Sequence, residues 1–294
     1  MLDDTLDHYG RRTSMPGIPS IATAVAYPSQ VPRLGQISFV NSLPVLLPID
    51  RGYLELGATV IYGSPAELNY GYANGSLDLG AMSSSFFITK SDLELMPGLS
   101  ISSTGPVGSV LFFSKVSPHK LGGAKVSVPS SSTTSVNLLK LLLAEQLGVT
   151  IECIVDPEPD INNPQIEGAL VIGDRALQVD AAWSNKYWRA DLGQWWISQS
   201  GLPMVFAVWA ARASWAKTNV SEFQNIGQTL VASTKLGLST LFPQVVAEAL
   251  TRTSLQPHRL QRYFQQQIDY RLTQKHWEGL ELFKTLSKHH GLIA

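Results

Sequence analysis

From Gly35 onward, apolar residues come in short runs of strand length and in longer stretches of helical spacing, separated by polar, Gly- or Pro-containing breaks. Residues 36–40 predict a buried strand, followed by a turn at Asn41 and a helix from near Pro44, a residue suited to a first helical turn. Residues 58–62 predict a second strand. Ser64 then caps a helix that carries Glu67 in its first turn, and residues 78–82 predict a third strand. Strand and helix alternating at these spacings predict an α/β fold with parallel pairing. Further strands are expected at 99–103, 109–113, 125–128, 168–172 and 205–211. Between them lies a clear helical signal, with Val136, Leu139, Leu142 and Leu143 at helical spacing, hydroxyl residues before them and Gly148 as the stop. Beyond Val220 the chain reads as successive amphipathic helices without strands, and residues 1–33 read as an extension outside the fold, disordered by their lack of periodicity.

At 294 residues the chain can form one large unit or two lobes, each with its own core. A net charge of −1 argues against a nucleic-acid partner, which would need a basic surplus. The single cysteine, Cys153, excludes an internal disulfide. His8, His119, His258, His276, His289 and His290 are scattered without metal-ligand spacing, so no metal or cofactor is expected. Arg11 and Arg12 ahead of an apolar stretch loosely imitate an export signal, but Pro16 and Pro19 interrupt it, and Met15 is an alternative start. No run approaches the roughly 20 apolar residues of a membrane span. The expectation is a cytoplasmic protein with no membrane partner.

The candidate chemistry lies just after the strands, where open α/β sheets bind ligands. Asn41, the run Ser83, Ser84 and Ser85, Ser109 and the segment Ser130 to Ser135 supply neutral hydrogen-bond donors there. A helix start adds unpaired N–H groups and a positive dipole end, which suit a carboxylate. Residues 97–144 contain lysines but no Asp or Glu, so an anion would meet little repulsion. Each serine also has a plainer reading as a turn former or cap, Asn41 as a turn residue and Asp174 as a loop brace. Trp183, Trp188, Trp195, Trp196 and Trp209 read as core rather than cleft, and Cys153 as inert.

Several segments carry a resemblance: I-S-F-V-N-S-L-P at 37–44, G-S-L-D-L-G-A-M at 75–82, P-G-L-S-I-S-S-T-G-P-V-G-S-V-L-F-F-S at 97–114, T-S-V-N-L-L-K-L-L-L at 134–143, I-G-D-R-A-L at 172–177 and the run 191–210 ending in M-V-F-A-V-W-A. Over 35–212 the chain resembles the chorismate dehydratase family of the futalosine route to menaquinone. The resemblance implies a two-lobed Venus-flytrap of the type II periplasmic-binding-protein-like kind with a helical C-terminal region. One lobe would comprise 34–113 plus 209–294 and the other 114–208, with crossings near Phe113 and Val208. It implies a hydro-lyase converting the dicarboxylate chorismate to 3-enolpyruvylbenzoate, without a cofactor. Asn41 would position the reacting groups. Ser132, Thr133, Thr134 and Ser135 would form an anion-binding helix start, Ser84, Ser85 and Ser109 would hold a carboxylate from the facing side, and Gly173 and Asp174 would shape the second lobe's edge. Two departures stand out: Phe39 where the family commonly has Tyr, and Thr133 where it commonly has Arg, a strong bidentate carboxylate partner. Two other readings stay open: a solute-binding or sensing module for a small carboxylate, and the route's naphthoate-forming cyclase. The absence of a histidine between His119 and His258 weighs against the cyclase.

Overall fold

Two five-stranded sheets divide the chain, and the strand pairing shows where it passes from one to the other. The structure, a computed structural model, describes residues 31–293, so the expected extension lies outside the described residues up to residue 30. The first sheet contains β1 (Arg33–Ile37), β2 (Thr59–Gly63), β3 (Leu79–Ser83), β4 (Leu93–Ser103) and β10 (Met204–Arg212), in the spatial order β2-β1-β3-β10-β4. The second contains β5 (Val110–Ser114), β6 (Lys125–Pro129), β7 (Glu152–Asp156), β8 (Gly168–Ile172) and β9 (Trp188–Asp191), in the order β7-β6-β8-β5-β9. In each sheet a parallel trio is joined by an antiparallel strand, β10 against β3 in the first and β5 against β8 in the second.

That pairing moves the expected crossings. β5 lies wholly in the second sheet, with Val110 opposite Ile172, while β10 is in the first, with Ala207 opposite Ser83. The chain therefore crosses at 104–109 and again at 201–203, rather than near Phe113 and Val208. Both stretches hold the Gly and Pro residues that end a strand or helix: Gly105, Pro106 and Gly108 in the first, Gly201 and Pro203 in the second.

The first strand begins earlier than the periodicity predicts. Arg33 is already in β1, because its backbone N–H and its guanidinium both bond the Asp78 carboxylate, which Arg212 on β10 also holds at 2.7 Å. Burial raises the Asp78 carboxyl, but the bonds from the two arginines outweigh it and hold the group below the usual range. β4 is longer than expected and accommodates Pro97 because it is an edge strand, where a missing N–H costs no ladder bond.

Two helical contacts matter for the site. Helix α1 (Leu43–Asp50) follows a short 3-10 turn (Val40–Ser42) and is gripped by α8 (Val220–Gly237). There, Ser233 donates its hydroxyl to the Val45 carbonyl, and Gly237 lies so close that a Cβ would come within 2.2 Å of the Pro44 carbonyl oxygen. The last helix, α11 (Gln274–His289), packs on both halves: Gly279 abuts Pro203 at the crossing, and Phe283 meets Trp196 of α6 (Leu192–Ser200) edge-on at 6.1 Å. The C-terminal region is helical as expected. An added feature is a one-turn π-helix, Tyr263–Gln267, whose following residues return to pair Asp269 with Ser102 of β4.

Candidate functional site

The cleft lies where strand ends from the two sheets face each other. Its lining includes Ile37, Phe39, Asn41, Ser83, Ile101, Val107, Ser109, Ser132, Ser135, Ile172, Gly173, Phe206 and Ala207, around about 540 Å³ of free space that is partly open to solvent. Its polar groups are neutral: no Asp, Glu, His, Lys or Arg side chain lines it among the described residues.

Asn41 is placed by the 3-10 turn between β1 and α1, and its backbone carbonyl accepts a bond of 2.8 Å from the Tyr270 hydroxyl. Ser109 sits at the first crossing, with its hydroxyl 2.9 Å from the Tyr263 phenol and its carbonyl accepting the Gly173 N–H at 2.8 Å. Ser132 is the N-cap of α4 (Thr133–Leu147), where it accepts the Ser135 N–H at 3.3 Å and bonds the Ser135 hydroxyl at 2.9 Å. A fifteen-residue helix thus aims its N-terminus at the cleft, a site suited to an anion. Gly173 opens α5 (Gly173–Trp183) with φ +58°, and a Cβ there would come within 3.0 Å of the Phe39 ring. Only glycine both takes this backbone and lets the second lobe approach Phe39 so closely.

Asn41, Ser109, Ser132, Ser135 and Gly173 are therefore brought together, whereas five other expected residues are not. Ser84 is fully buried and donates to the Val205 carbonyl at 2.6 Å, because the first residue of α3 (Ser84–Ile88) faces β10 and not the cleft. Ser83, one residue earlier at the strand end, takes the place expected for Ser84; it caps α3 and accepts from Asn69. Ser85 and Thr134 meet each other instead, the Ser85 N–H donating to Thr134 Oγ1 at 2.9 Å, which ties α3 of one lobe to α4 of the other. Thr133 is exposed on the first turn of α4 and takes no part in the lining. Asp174 uses Oδ1 to accept the Val40 N–H at 3.0 Å across the cleft, so it joins the lobes beside Asn41. Burial raises the Asp174 carboxyl against the opposing effect of that bond.

Three groups escape sequence reasoning altogether. Tyr263 and Tyr270 lie in a C-terminal segment whose pattern reads only as helix, yet Tyr270 reaches the turn that carries Asn41 and Tyr263 reaches Ser109. Asp191 caps α6 and accepts four backbone N–H bonds, from Val107, Gly108, Gly193 and Gln194. It thereby fastens the first crossing to the helix before the second. Aspartate preceding a helix is a legible cap, but its reach to residues more than eighty positions away is not. Of the tryptophans, Trp183, Trp196 and Trp209 are buried, Trp188 is exposed, and none lines the cleft. Burial pushes the Cys153 thiol up, which makes it a poor nucleophile.

Comparison with known proteins places this architecture. The fold is shared with a protein of Archaeoglobus fulgidus (TM-score 0.70, 17% identity, 89% of this chain and 98% of that one). It is shared too with the periplasmic aliphatic sulphonate binding protein of Escherichia coli (TM-score 0.64, 16% identity, 89% and 88%). The fold is thus periplasmic-binding-protein-like, with two α/β lobes and a helical C-terminal region. In sequence, the chain is 32% identical over 273 residues to the chorismate dehydratase of Thermus thermophilus, covering 85% of this chain and 93% of that protein. The family described as menaquinone biosynthesis matches residues 32–289, and the chain belongs to that family.

Proposed function

We propose that this protein is a chorismate dehydratase, a hydro-lyase that removes water from chorismate to give 3-enolpyruvylbenzoate on the futalosine route to menaquinone. The observation that carries the reading is the character of the cleft wall: neutral donors and a helix N-terminus beside Phe39, Ile172 and Phe206, with no charged side chain among the described residues. Such a wall suits a small ring bearing two carboxylates. One carboxylate takes the α4 start with Ser132 and Ser135, while the ring packs against the apolar residues. Ser109 and Ser83 are the donors on the facing side.

The elimination breaks a ring C–H bond, and that electron pair becomes a ring double bond as the neighbouring C–O bond breaks. The proton and the departing hydroxyl leave together as water, and the ring becomes aromatic. With no ionisable side chain in the wall among the described residues, the proton goes first to the carboxylate on the substrate's own enolpyruvyl arm. The protein contributes orientation and exclusion of water. The small-carboxylate binding or sensing reading fits the same wall but predicts no chemistry. The cyclase reading has no cleft histidine among the described residues to support it.

Incubating purified protein with chorismate and following products by chromatography distinguishes these readings. Stoichiometric appearance of 3-enolpyruvylbenzoate is expected. Saturable binding of chorismate without any product would reject the enzyme reading in favour of the binding module.

A further inference from the structure

The turn that presents Asn41 is held from both lobes. Within its own lobe, the Ser42 N–H and hydroxyl both donate to the Phe39 carbonyl, at 3.0 and 2.7 Å, and Tyr270 grips the Asn41 carbonyl at 2.8 Å. Tyr270 belongs to that lobe, since its carbonyl accepts the Ser100 N–H of β4 at 2.8 Å. The remaining hold comes from the other lobe. Gly173 lies against the Phe39 ring, and the next residue, Asp174, accepts the Val40 N–H at 3.0 Å. Two consecutive residues at the start of α5 thus meet the two residues just ahead of Asn41. Val40 is fully buried, and its N–H has no other acceptor among the described residues. With the lobes together this bond completes the turn, and with them apart the Val40 N–H loses its partner. A further bond between the lobes, from the Ser85 N–H to Thr134 Oγ1, bears on α3 and not on this turn.

We propose that Asp174 is a positioning residue that couples closure of the lobes to the placement of Asn41, its carboxylate fixing the turn once the second lobe closes on it. Asp174 is not part of the cleft lining and acts through the Val40 backbone. The turn spans only Val40–Ser42. Holding the N–H of the residue before Asn41 and the carbonyl of Asn41 itself therefore fixes the backbone on both sides of its Cα, and with it the direction of the side chain. Closure that completes a reacting constellation keeps chemistry from starting in an open, wet cleft. The inference rests on the dehydratase reading for its kinetic readout but not for its geometry.

The test compares Asp174→Ala, which removes the acceptor, with Asp174→Asn, whose carboxamide oxygen can still accept the Val40 N–H. In Asp174→Ala, kcat/KM for chorismate should fall by about 10–100-fold, with a thermal midpoint within a few degrees of wild type, because the lost bond joins the lobes and belongs to no strand or helix ladder. Asp174→Asn should recover kcat/KM to within about fivefold of wild type. A second measurement needs no turnover. Hydrogen exchange of the Val40 backbone amide, followed by nitrogen-15 NMR without substrate, should be slow in the wild type and in Asp174→Asn, and about tenfold or more faster in Asp174→Ala. Three results would each overturn the proposal: wild-type kcat/KM in Asp174→Ala, a loss in Asp174→Asn as deep as in Asp174→Ala, or a Val40 amide that exchanges equally in wild type and Asp174→Ala. Should the wild type form no product from chorismate, the dehydratase reading fails, and the amide measurement still decides the role of Asp174.

Discussion

Asn41→Ala is expected to lower kcat for chorismate by about 10²–10³-fold while leaving the protein folded, because it removes a preorganised dipole from the reacting groups. The fold should survive for a specific reason. Tyr270 anchors this turn through the Asn41 backbone carbonyl, which alanine retains, and the neighbouring Val40 N–H keeps its bond to Asp174. The side chain itself is only half-buried, and it lines the cleft rather than a core. Steady-state kinetics beside thermal unfolding separate the two effects. A thermal midpoint within a few degrees of wild type, with turnover almost gone, is the expected pair, and retained turnover would remove Asn41 from the mechanism.

Asp191→Ala is expected to have the largest effect on stability, on the order of 3–5 kcal/mol. Its carboxylate accepts the N–H groups of Val107, Gly108 and Gly193 in buried surroundings, and that of Gln194 at the edge. Alanine leaves all four without their acceptor, and a buried unpaired N–H costs about 1–3 kcal/mol. Burial raises the Asp191 carboxyl while those N–H bonds pull it down, so the group is costly to bury and costlier to remove. Chemical denaturation should report the loss directly, and the thermal midpoint should fall by roughly 10 °C for a chain of this size. The lesion should also reach the cleft, because Val107 and Ser109 in its lining flank the segment that Asp191 fastens. A midpoint within two degrees of wild type would show that the crossing holds without it.

The α/β alternation and the α4 cap are legible in the sequence because each depends on local periodicity and on residues a few positions apart. Ser132 before the apolar face of α4, and Gly148 after it, are signals of that sort. The lobe boundaries are less legible: β5 and β10 are short apolar runs, and which sheet they join is decided by pairing over more than fifty residues. Among the serines, composition points to the right clusters without naming the residue that faces inward. Ser83, Ser84 and Ser85 are consecutive, but a strand end turning into a helix sends them in three directions: toward the cleft, toward β10 and toward α4. Tyr263 lies outside any such signal, because a phenol in a helical stretch reads as core until the fold brings Ser109, 154 positions away, against it.

The central claim is that two lobes hold a dicarboxylate with neutral groups and leave proton removal to the substrate itself. The pH dependence of kcat tests this most directly, because kcat reports ionisations in the enzyme–substrate complex. With no ionisable side chain in the cleft wall among the described residues and Tyr263 held protonated by burial, kcat should be level from about pH 6 to pH 9. A bell, or a single limb inside that interval, would identify a protein acid or base at work and contradict the claim.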